Sequence, residues 1–237
     1  MDTITALPLK EADSVPLGEQ AYLALRRSIV RCDFEPEERL RVEELSRQFG
    51  LSSSPLREAL NRLVQQGLVR SLDNRGFRVA PISIEGIADL TRVRLLLETE
   101  ALKDALTHGS EEWEGRVVAS FHGLSTVEKK LTEGPLVLDD KWSDRHRAFH
   151  LAIYSGGSSS LLKMMVESLF DQAERYRRFS ARFRKVERSK GTEHQRIVDA
   201  VLARDQEKAS TLVQNHIRST ERNVTESLLS MEKTRTH

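Results

Sequence analysis

Helical spacing of apolar residues from residue 84 onward limits the fold of this chain more than any other feature. Apolar side chains recur there every three or four residues, in segments joined by short connectors that contain Gly, Ser, Pro or Asp. The six segments are 84–106, 111–131, 138–154, 160–183, 191–204 and 205–229. Six consecutive helices of this kind favour an all-α antiparallel bundle.

Residues 17–80 follow a different pattern, with three short amphipathic segments and then two β-like runs around "DNRG". In "RVEELSRQFG", Val42, Leu45 and Phe49 form an apolar face, and Gly50 is well placed to end the helix. The next segment, "LSSSPLREALNRLVQQGLV", begins with serines that can cap a helix. The predicted order is therefore helix, helix, helix, hairpin.

Three regions follow from these patterns: a flexible arm over residues 1–16, a compact domain over 17–82 and a helical domain over 83–232. The fold class is mostly α. The chain has neither an apolar run of membrane-spanning length nor a basic and apolar signal segment, so we expect a cytoplasmic protein without a membrane partner. The single cysteine, Cys32, excludes an internal disulfide framework and a multi-cysteine metal site.

The third short helix and the turn before it are typical of a helix-turn-helix, whose second helix enters the major groove of DNA. Arg57 lies one turn into this helix, where a planar guanidinium can form two hydrogen bonds to a guanine edge. The net charge of +1 does not oppose this interpretation, because a basic patch can be offset elsewhere. The residues expected to contact DNA are Arg41, Arg47, Ser52, Ser53, Ser54, Arg57, Asn61, Arg62, Arg75 and Gly76. The pattern alone also fits a compact α+β subdomain that binds no nucleic acid.

The stretch "RVEELSRQFGLSSSPLREALNRLVQQGLV" closely resembles the winged helix-turn-helix of the GntR family. The likeness rests on "ELS" at residues 44–46, on the segment Ser53–Leu60 and on "GLV" at residues 67–69. The resemblance implies a DNA-binding winged helix-turn-helix, with Arg57 as the arginine that contacts bases. Since one winged helix offers few base contacts, we expect a homodimer on a palindromic double-stranded operator.

Four histidines in the helical part form a candidate metal site. His146 and His150 in "RHRAFHLAIY" lie four residues apart, which places both imidazoles on one face of a helix. His194 and His216 lie on the two later helices, and facing helices of a bundle can direct such side chains to a common point. Solvated or capping histidines on unrelated faces are the alternative.

The helical part also resembles the FCD effector domain of FadR-type GntR regulators. The metal-binding members use an acid, a histidine four residues later and two histidines on the last helices. The motifs "FH", "EHQ" and "NHI" then assign His150, His194 and His216, while His146 stands where the family has the acid. The resemblance implies one divalent transition metal ion, such as Zn or Ni, with His146 as the fourth ligand. Asp144 is the other candidate for that ligand, although it points to nearly the opposite side of the helix.

Arg94 in "TRVRLLLE" matches an arginine of the family's first effector helix, which implies a positive charge that can bind a carboxylate. Arg175 and Tyr176 are less specific candidates for the same pocket wall, because a solvated helix face would also explain them. The segments "EEWEGRVVASFHGLS" and "VLARDQEKAS" further resemble repressors of the CsiR/GlaR type. That resemblance implies a repressor that a glutarate-like dicarboxylate releases from DNA.

Two other kinds of protein are alternatives to a ligand-responsive regulator. An all-α metalloenzyme with an appended nucleic-acid-binding module would need a general base beside the metal, as in H-E-x-x-H, and Arg147 occupies that position. An architectural DNA-binding protein without an effector would have no use for the histidines and Arg94. We therefore expect a regulator without catalytic residues.

Overall fold

The computed structural model describes residues 15–72, 76–130, 140–182 and 192–235. These residues divide into two compact units, one that ends at Ile82 and one that begins at Ser83. The expected N-terminal arm, apart from Val15 and Pro16, and the predicted DNA contact Arg75 lie outside the described residues. No helix in the described ranges combines the length and hydropathy needed to cross a membrane.

Within its described residues, the first unit contains three helices and a three-stranded antiparallel sheet. Its elements are α1 (Leu17–Val30), β1 (Arg39–Leu40), α2 (Val42–Phe49), α3 (Ser53–Gln65), β2 (Val69–Leu72) and β3 (Gly76–Val79). The predicted hairpin of β2 and β3 is present, and β3 also pairs with β1 on its other side. The sequence did not predict β1, because a strand of two residues is too short to show an alternation.

The helices of the first unit enclose one apolar core. Leu25 of α1 and Leu56, Leu60 and Leu63 of α3 are fully buried in it, as their helical spacing predicts. Gly50 ends α2 with a φ of 67°, a left-handed conformation that residues with a side chain rarely adopt. This tight turn allows α3 to begin shortly afterwards, with its first turn exposed to solvent.

The described elements of the second unit are all helices, in agreement with the six predicted segments. They are α4 (Ile84–His108), α5 (Glu111–Lys130), α6 (Asp140–Tyr154), α7 (Ser160–Ala181), α8 (Thr192–Leu202) and α9 (Gln206–Arg235). The main difference is the end of α9, which continues past residue 229 to Arg235. Neither Gly nor Pro interrupts the chain there.

The packing of α6 determines where its polar side chains lie. This helix packs against α4, α5 and α7. Phe149 and Ile153 of α6 are fully buried in the same apolar core as Trp113 of α5. The indole Nε1 of Trp113 donates a hydrogen bond to the Ala152 carbonyl at 2.8 Å. Polar residues on the buried face of α6 are therefore held in the interior of the unit.

Candidate metal centre and nucleic-acid interface

The first turn and the outer face of α3 carry exposed polar side chains. Ser54, Arg57 and Asn61 follow one another at intervals of three and four residues, which aligns them on one face of the helix. Ser52 and Ser53 are exposed at the N-terminus of the same helix. Hydroxyl groups, a helix N-terminus and a guanidinium on one strip of surface are suited to bind phosphates and base edges.

Two of the other arginines expected to contact DNA make ion pairs within the first unit. Nη1 of Arg62 lies 2.6 Å from Glu19 Oε2, and its guanidinium lies 3.8 Å from the centre of the Tyr22 ring. Arg41 pairs with Glu44 at 2.7 Å on the surface of the unit. The remaining described candidates, Arg47 and Gly76, are exposed. Arg62 therefore joins α3 to α1, and its charge is already balanced.

Three arginines that the sequence analysis did not select form a row across the sheet. Arg78 of β3 lies opposite Arg39 of β1 on one side and opposite Arg70 of β2 on the other, and all three are exposed. Nη1 of Arg78 donates a hydrogen bond to the Glu37 carbonyl at 2.7 Å. Like charges placed directly opposite each other destabilise a sheet. A polyanion that lies across this arginine row would relieve the repulsion.

The four predicted histidines meet in the interior of the second unit. His146 and His150 of α6, His194 of α8 and His216 of α9 are each at most 5% exposed, and one ring nitrogen from each lies within 4.8 Å of the others. Two nitrogens that bind one zinc ion tetrahedrally at about 2.1 Å lie about 3.4 Å apart, so the histidine side chains have to move closer together by up to about 1.4 Å to hold an ion. Asp144, the alternative to His146, is exposed. We call these four residues the histidine cluster.

Two carboxylates lie beside the cluster histidines of the later helices. Nδ1 of His194 donates a hydrogen bond to Glu128 Oε1 at 3.0 Å. Nδ1 of His216 lies 3.1 Å from Glu193 Oε2. In His194, Nε2 is then the nitrogen that can bind a metal ion, and the carboxylate partner makes this ring a stronger ligand.

The protonation state of the histidines on α6 also suits metal binding. Burial lowers the pKa of His146 well below its usual value of 6.5, and the charge of Arg177 lowers it further. Burial lowers the pKa of His150 as well, followed by repulsion from His216 and His194. Both imidazoles are therefore neutral at neutral pH, and the neutral form is the one that binds a metal ion.

Unpaired nitrogen atoms provide a direct test of whether a metal ion fits the cluster. Both ring nitrogens of His150 and Nε2 of His194 are buried and make no hydrogen bond to the described residues. A buried polar atom without a partner costs about 1–3 kcal/mol. A transition metal ion would bind one ring nitrogen of His150 and Nε2 of His194, and a neutral imidazole set suits Zn or Ni better than Mg or Ca. The residues present therefore fit the ion that the family resemblance implies.

Arg94, the first candidate for effector binding, belongs to a buried network. Its Nε lies 2.5 Å from Glu98 Oε1, and the hydroxyl of Tyr154 donates to the other oxygen of Glu98 at 2.7 Å. Tyr154 follows His146 and His150 on the same face of α6, so the network lies beside the cluster along that helix. The charge of Arg94 is thus already balanced by a carboxylate of the same helix.

α7 brings Arg177, which the sequence analysis did not select, to the histidine cluster. Its Nη1 lies 2.8 Å from Nδ1 and 3.1 Å from Nε2 of His146. The predicted candidates Arg175 and Tyr176 are also buried. Residues two apart on a helix point about 200° apart, so Arg175 and Arg177 leave α7 in nearly opposite directions. The Tyr176 hydroxyl lies so close to Gly86 of α4 that a Cβ there would collide with it.

Trp142 is a further residue of the site that the sequence analysis missed. Its ring stacks on the imidazole of His146, with the ring centres 4.5 Å apart. The sequence did contain a signal for it, because Trp142 precedes His146 by four residues and so lies on the same face of α6.

Comparison with known protein families assigns both units. Residues 17–79 match the family described as "Bacterial regulatory proteins, gntR family". Residues 89–219 match the FCD domain. The first match falls within the first unit and the second within the second unit.

Individual relatives agree with these matches. The chain is 36% identical to the uncharacterized HTH-type transcriptional regulator BphR of Paraburkholderia xenovorans, over 90% of this chain and 87% of that protein. It is 38% identical to the HTH-type transcriptional repressor GlaR of Escherichia coli, over 83% of this chain and 90% of that protein. Among solved structures, Escherichia coli McbR/YncC gives a TM-score of 0.71 at 20% identity, over 90% of this chain and 99% of that chain. This structural likeness concerns the fold.

Proposed function

Because the chain belongs to the GntR family of bacterial regulatory proteins and carries an FCD domain, we propose that it is a repressor released from its operator by a small carboxylate bound beside a metal ion. The matched families and relatives make it a DNA-binding transcriptional regulator and not an enzyme. Likeness to GlaR, which is named a repressor, supports repression. The observation that carries the sensor proposal is the convergence of four buried histidines.

In this proposal the histidine cluster holds one divalent transition metal ion, such as Zn or Ni. The ion, when bound, would supply a fixed positive charge that attracts a carboxylate oxygen. Glu128 holds the imidazole of His194 in the required orientation, and Glu193 places a negative charge beside His216. Burial keeps the site free of bulk water, which strengthens its attraction for an anion.

The proposed effector is a glutarate-like dicarboxylate, the class that the resemblance to CsiR/GlaR-type repressors implies. Arg94 is proposed to attract one of its carboxylates, with Arg175 and Tyr176 in the surrounding wall. Glu98 bonds Nε and Nη2 of Arg94, so a ligand carboxylate that takes over these two nitrogens would have to displace Glu98.

For DNA binding we propose a homodimer in which each α3 enters the major groove of one half of a palindromic operator. Such a regulator acts in the cytoplasm, where a bacterial chromosome lies. The residues proposed to contact DNA are Arg41, Arg47, Ser52, Ser53, Ser54, Arg57, Asn61, Arg75 and Gly76. Arg62 is proposed to support them indirectly, because it ties α3 to Glu19 of α1.

The test of the sensor compares His150→Ala and His194→Ala with the parent protein. We expect both variants to lose bound metal and to stay on the operator when glutarate is added. Their affinity for the operator without glutarate should equal that of the parent, because the first unit has its own core. The measurements are metal analysis and a gel shift with a titration of glutarate and related C4 to C6 diacids.

The matched control is His122→Ala, which removes an exposed histidine of α5 and should behave as the parent does. If His150→Ala and His194→Ala release DNA at the glutarate concentration that releases the parent, the metal-assisted sensor is wrong.

A further inference from the structure

Arg177 is a buried cation whose position is fixed on several sides. Its side chain is 5% exposed, and its guanidinium carbon lies 5.2 Å from the centre of the Phe170 ring and 5.8 Å from that of Trp142. Nη2 donates to the carboxylate of Glu174, while Nη1 lies 2.8 Å from Nδ1 of His146. Glu174 and the two rings therefore direct the Nη1 edge of the guanidinium toward the histidine cluster.

His146 is a weak partner for this edge of Arg177. It offers a neutral imidazole nitrogen, whereas a hydrogen bond to an ionised acceptor is roughly twice as strong. Nη1 lies close to both ring nitrogens of His146, at 2.8 and 3.1 Å. A neutral imidazole has one ring nitrogen with a free lone pair, so Arg177 competes with a metal ion for that nitrogen of His146.

We infer that Arg177 binds a carboxylate of the effector at the edge of the histidine cluster and in doing so releases His146. The inference rests on the proposed function, because it assumes that a carboxylate enters the cluster. In this exchange Nη1 of Arg177 replaces a neutral acceptor by an anionic one, and a nitrogen of His146 becomes available as a ligand. No buried N–H of Arg177 loses its partner.

A dicarboxylate has two carboxylates, and Arg177 binds one of them at lower cost than Arg94 would. A carboxylate that takes Arg94 from Glu98 leaves a buried carboxylate without its cation, which is strongly unfavourable. Glu174, the carboxylate beside Arg177, also binds Nε of Arg178 at 3.1 Å. The exchange at Nη1 leaves Nη2 of Arg177 and Nε of Arg178 on Glu174, so no buried carboxylate loses its cation.

The experiment uses the full-length, metal-loaded protein with glutarate as the probe. It compares Arg177→Met with Arg178→Met, a matched control that removes the neighbouring arginine bound to the same Glu174. Glutarate affinity is measured by titration calorimetry, metal content by elemental analysis and operator affinity by gel shift.

We expect Arg177→Met to weaken glutarate binding on the order of 10- to 100-fold, the loss associated with one charge-assisted hydrogen bond. Its metal content should be at least that of the parent, because the substitution removes a competitor for His146, and its operator affinity without glutarate should equal that of the parent. Arg178→Met should leave glutarate binding within about threefold of the parent, since it removes no group that contacts the cluster histidines.

Arg177→Lys keeps a buried cation and so tests the inference even if the methionine variant fails to fold. It should bind glutarate more weakly than the parent does, because an ammonium lacks the planar guanidinium that forms two parallel hydrogen bonds to a carboxylate.

Parent-like glutarate affinity in both Arg177 variants would overturn the inference. Joint loss of metal and glutarate would also overturn it, because Arg177 would then support the cluster itself. A parent protein that binds neither metal nor glutarate would instead refute the proposed function, and the inference with it.

Discussion

At the scale of single residues, burial keeps His146 and His150 uncharged and thereby links stability to pH. In the unfolded chain both imidazoles titrate near 6.5, whereas in the folded chain their pKa values lie well below that value, chiefly because of burial. Above pH 6.5 neither state binds these protons. Below it the unfolded chain takes up protons that the folded chain does not, so stability falls as the pH falls.

We therefore expect the free energy of unfolding of the metal-free protein to decrease between about pH 7 and about pH 5. Urea denaturation at several pH values, followed by far-UV circular dichroism, measures this. His150→Phe should reduce the pH dependence, because it removes one of the two titrating groups. A denaturation midpoint that stays constant over this range in the parent would contradict the expectation.

The exposed guanidinium of Arg57 is expected to supply base recognition. Arg57→Ala should leave the fold intact, because the side chain is exposed, and should abolish the preference for operator over scrambled DNA. A bidentate contact to guanine contributes roughly 1–3 kcal/mol per half-site, and a dimer loses it twice. Fluorescence anisotropy with both DNA sequences measures the preference. Gln65→Ala, at the exposed C-terminal end of α3, is the control, and unchanged discrimination in Arg57→Ala would refute the assignment.

The four histidines could be predicted from the sequence, whereas several of their partners could not. His146 and His150 form a local pair, and the family resemblance supplied His194 and His216. The contacts of Arg177 with His146 and of Glu128 with His194 join residues 31 and 66 positions apart, which leave no local pattern. Charged residues such as those in "ERYRR" are also typical of a solvated helix face, so the sequence did not predict that Arg177 is buried.

At the scale of elements, the helices could be predicted because the spacing of their apolar residues and the residues that end them lie within short stretches of sequence. Gly50, for example, predicts the end of α2 from its own conformational freedom. β1 depends instead on pairing with β3, where Leu40 lies opposite Phe77. Such a pairing is decided by tertiary packing and not by the two residues themselves.

The arginine row leads to a prediction about the sheet. Arg70→Thr removes one of two like charges that face each other and introduces a residue that favours strands, so the melting temperature should rise. If the row lies along the phosphate backbone, affinity should fall equally for operator and scrambled DNA. The slope of log affinity against log salt concentration should then weaken by about 2, because a dimer loses one phosphate contact in each chain. Gel shifts at several salt concentrations measure this.

Arg116→Ala, which removes an exposed arginine from α5 of the second unit, is the control for the change in net charge. A salt dependence of Arg70→Thr equal to that of the parent would show that the row does not bind DNA. A lower melting temperature would show that like-charge repulsion does not govern the sheet.

At the scale of the whole molecule, each unit has its own apolar core, and each carries one half of the proposed function. Since α3 is a single recognition helix, one chain reads too few bases for useful selectivity. We expect light scattering to give twice the chain mass of 27.0 kDa and footprinting to show two symmetric half-sites. A single asymmetric footprint of monomer size would contradict the dimer.

The stacking of Trp142 on His146 provides an optical signal for events in the cluster. The chain has two tryptophans, and the other one, Trp113, is fully buried with its Nε1 bonded to the Ala152 carbonyl. Indole emission responds to the charge and hydrogen bonding of a stacked imidazole, so binding at the cluster should change the fluorescence of Trp142 and leave that of Trp113 constant. Addition of Zn and then of glutarate to the metal-free protein would thus produce two successive changes in emission, and Trp142→Phe would abolish both.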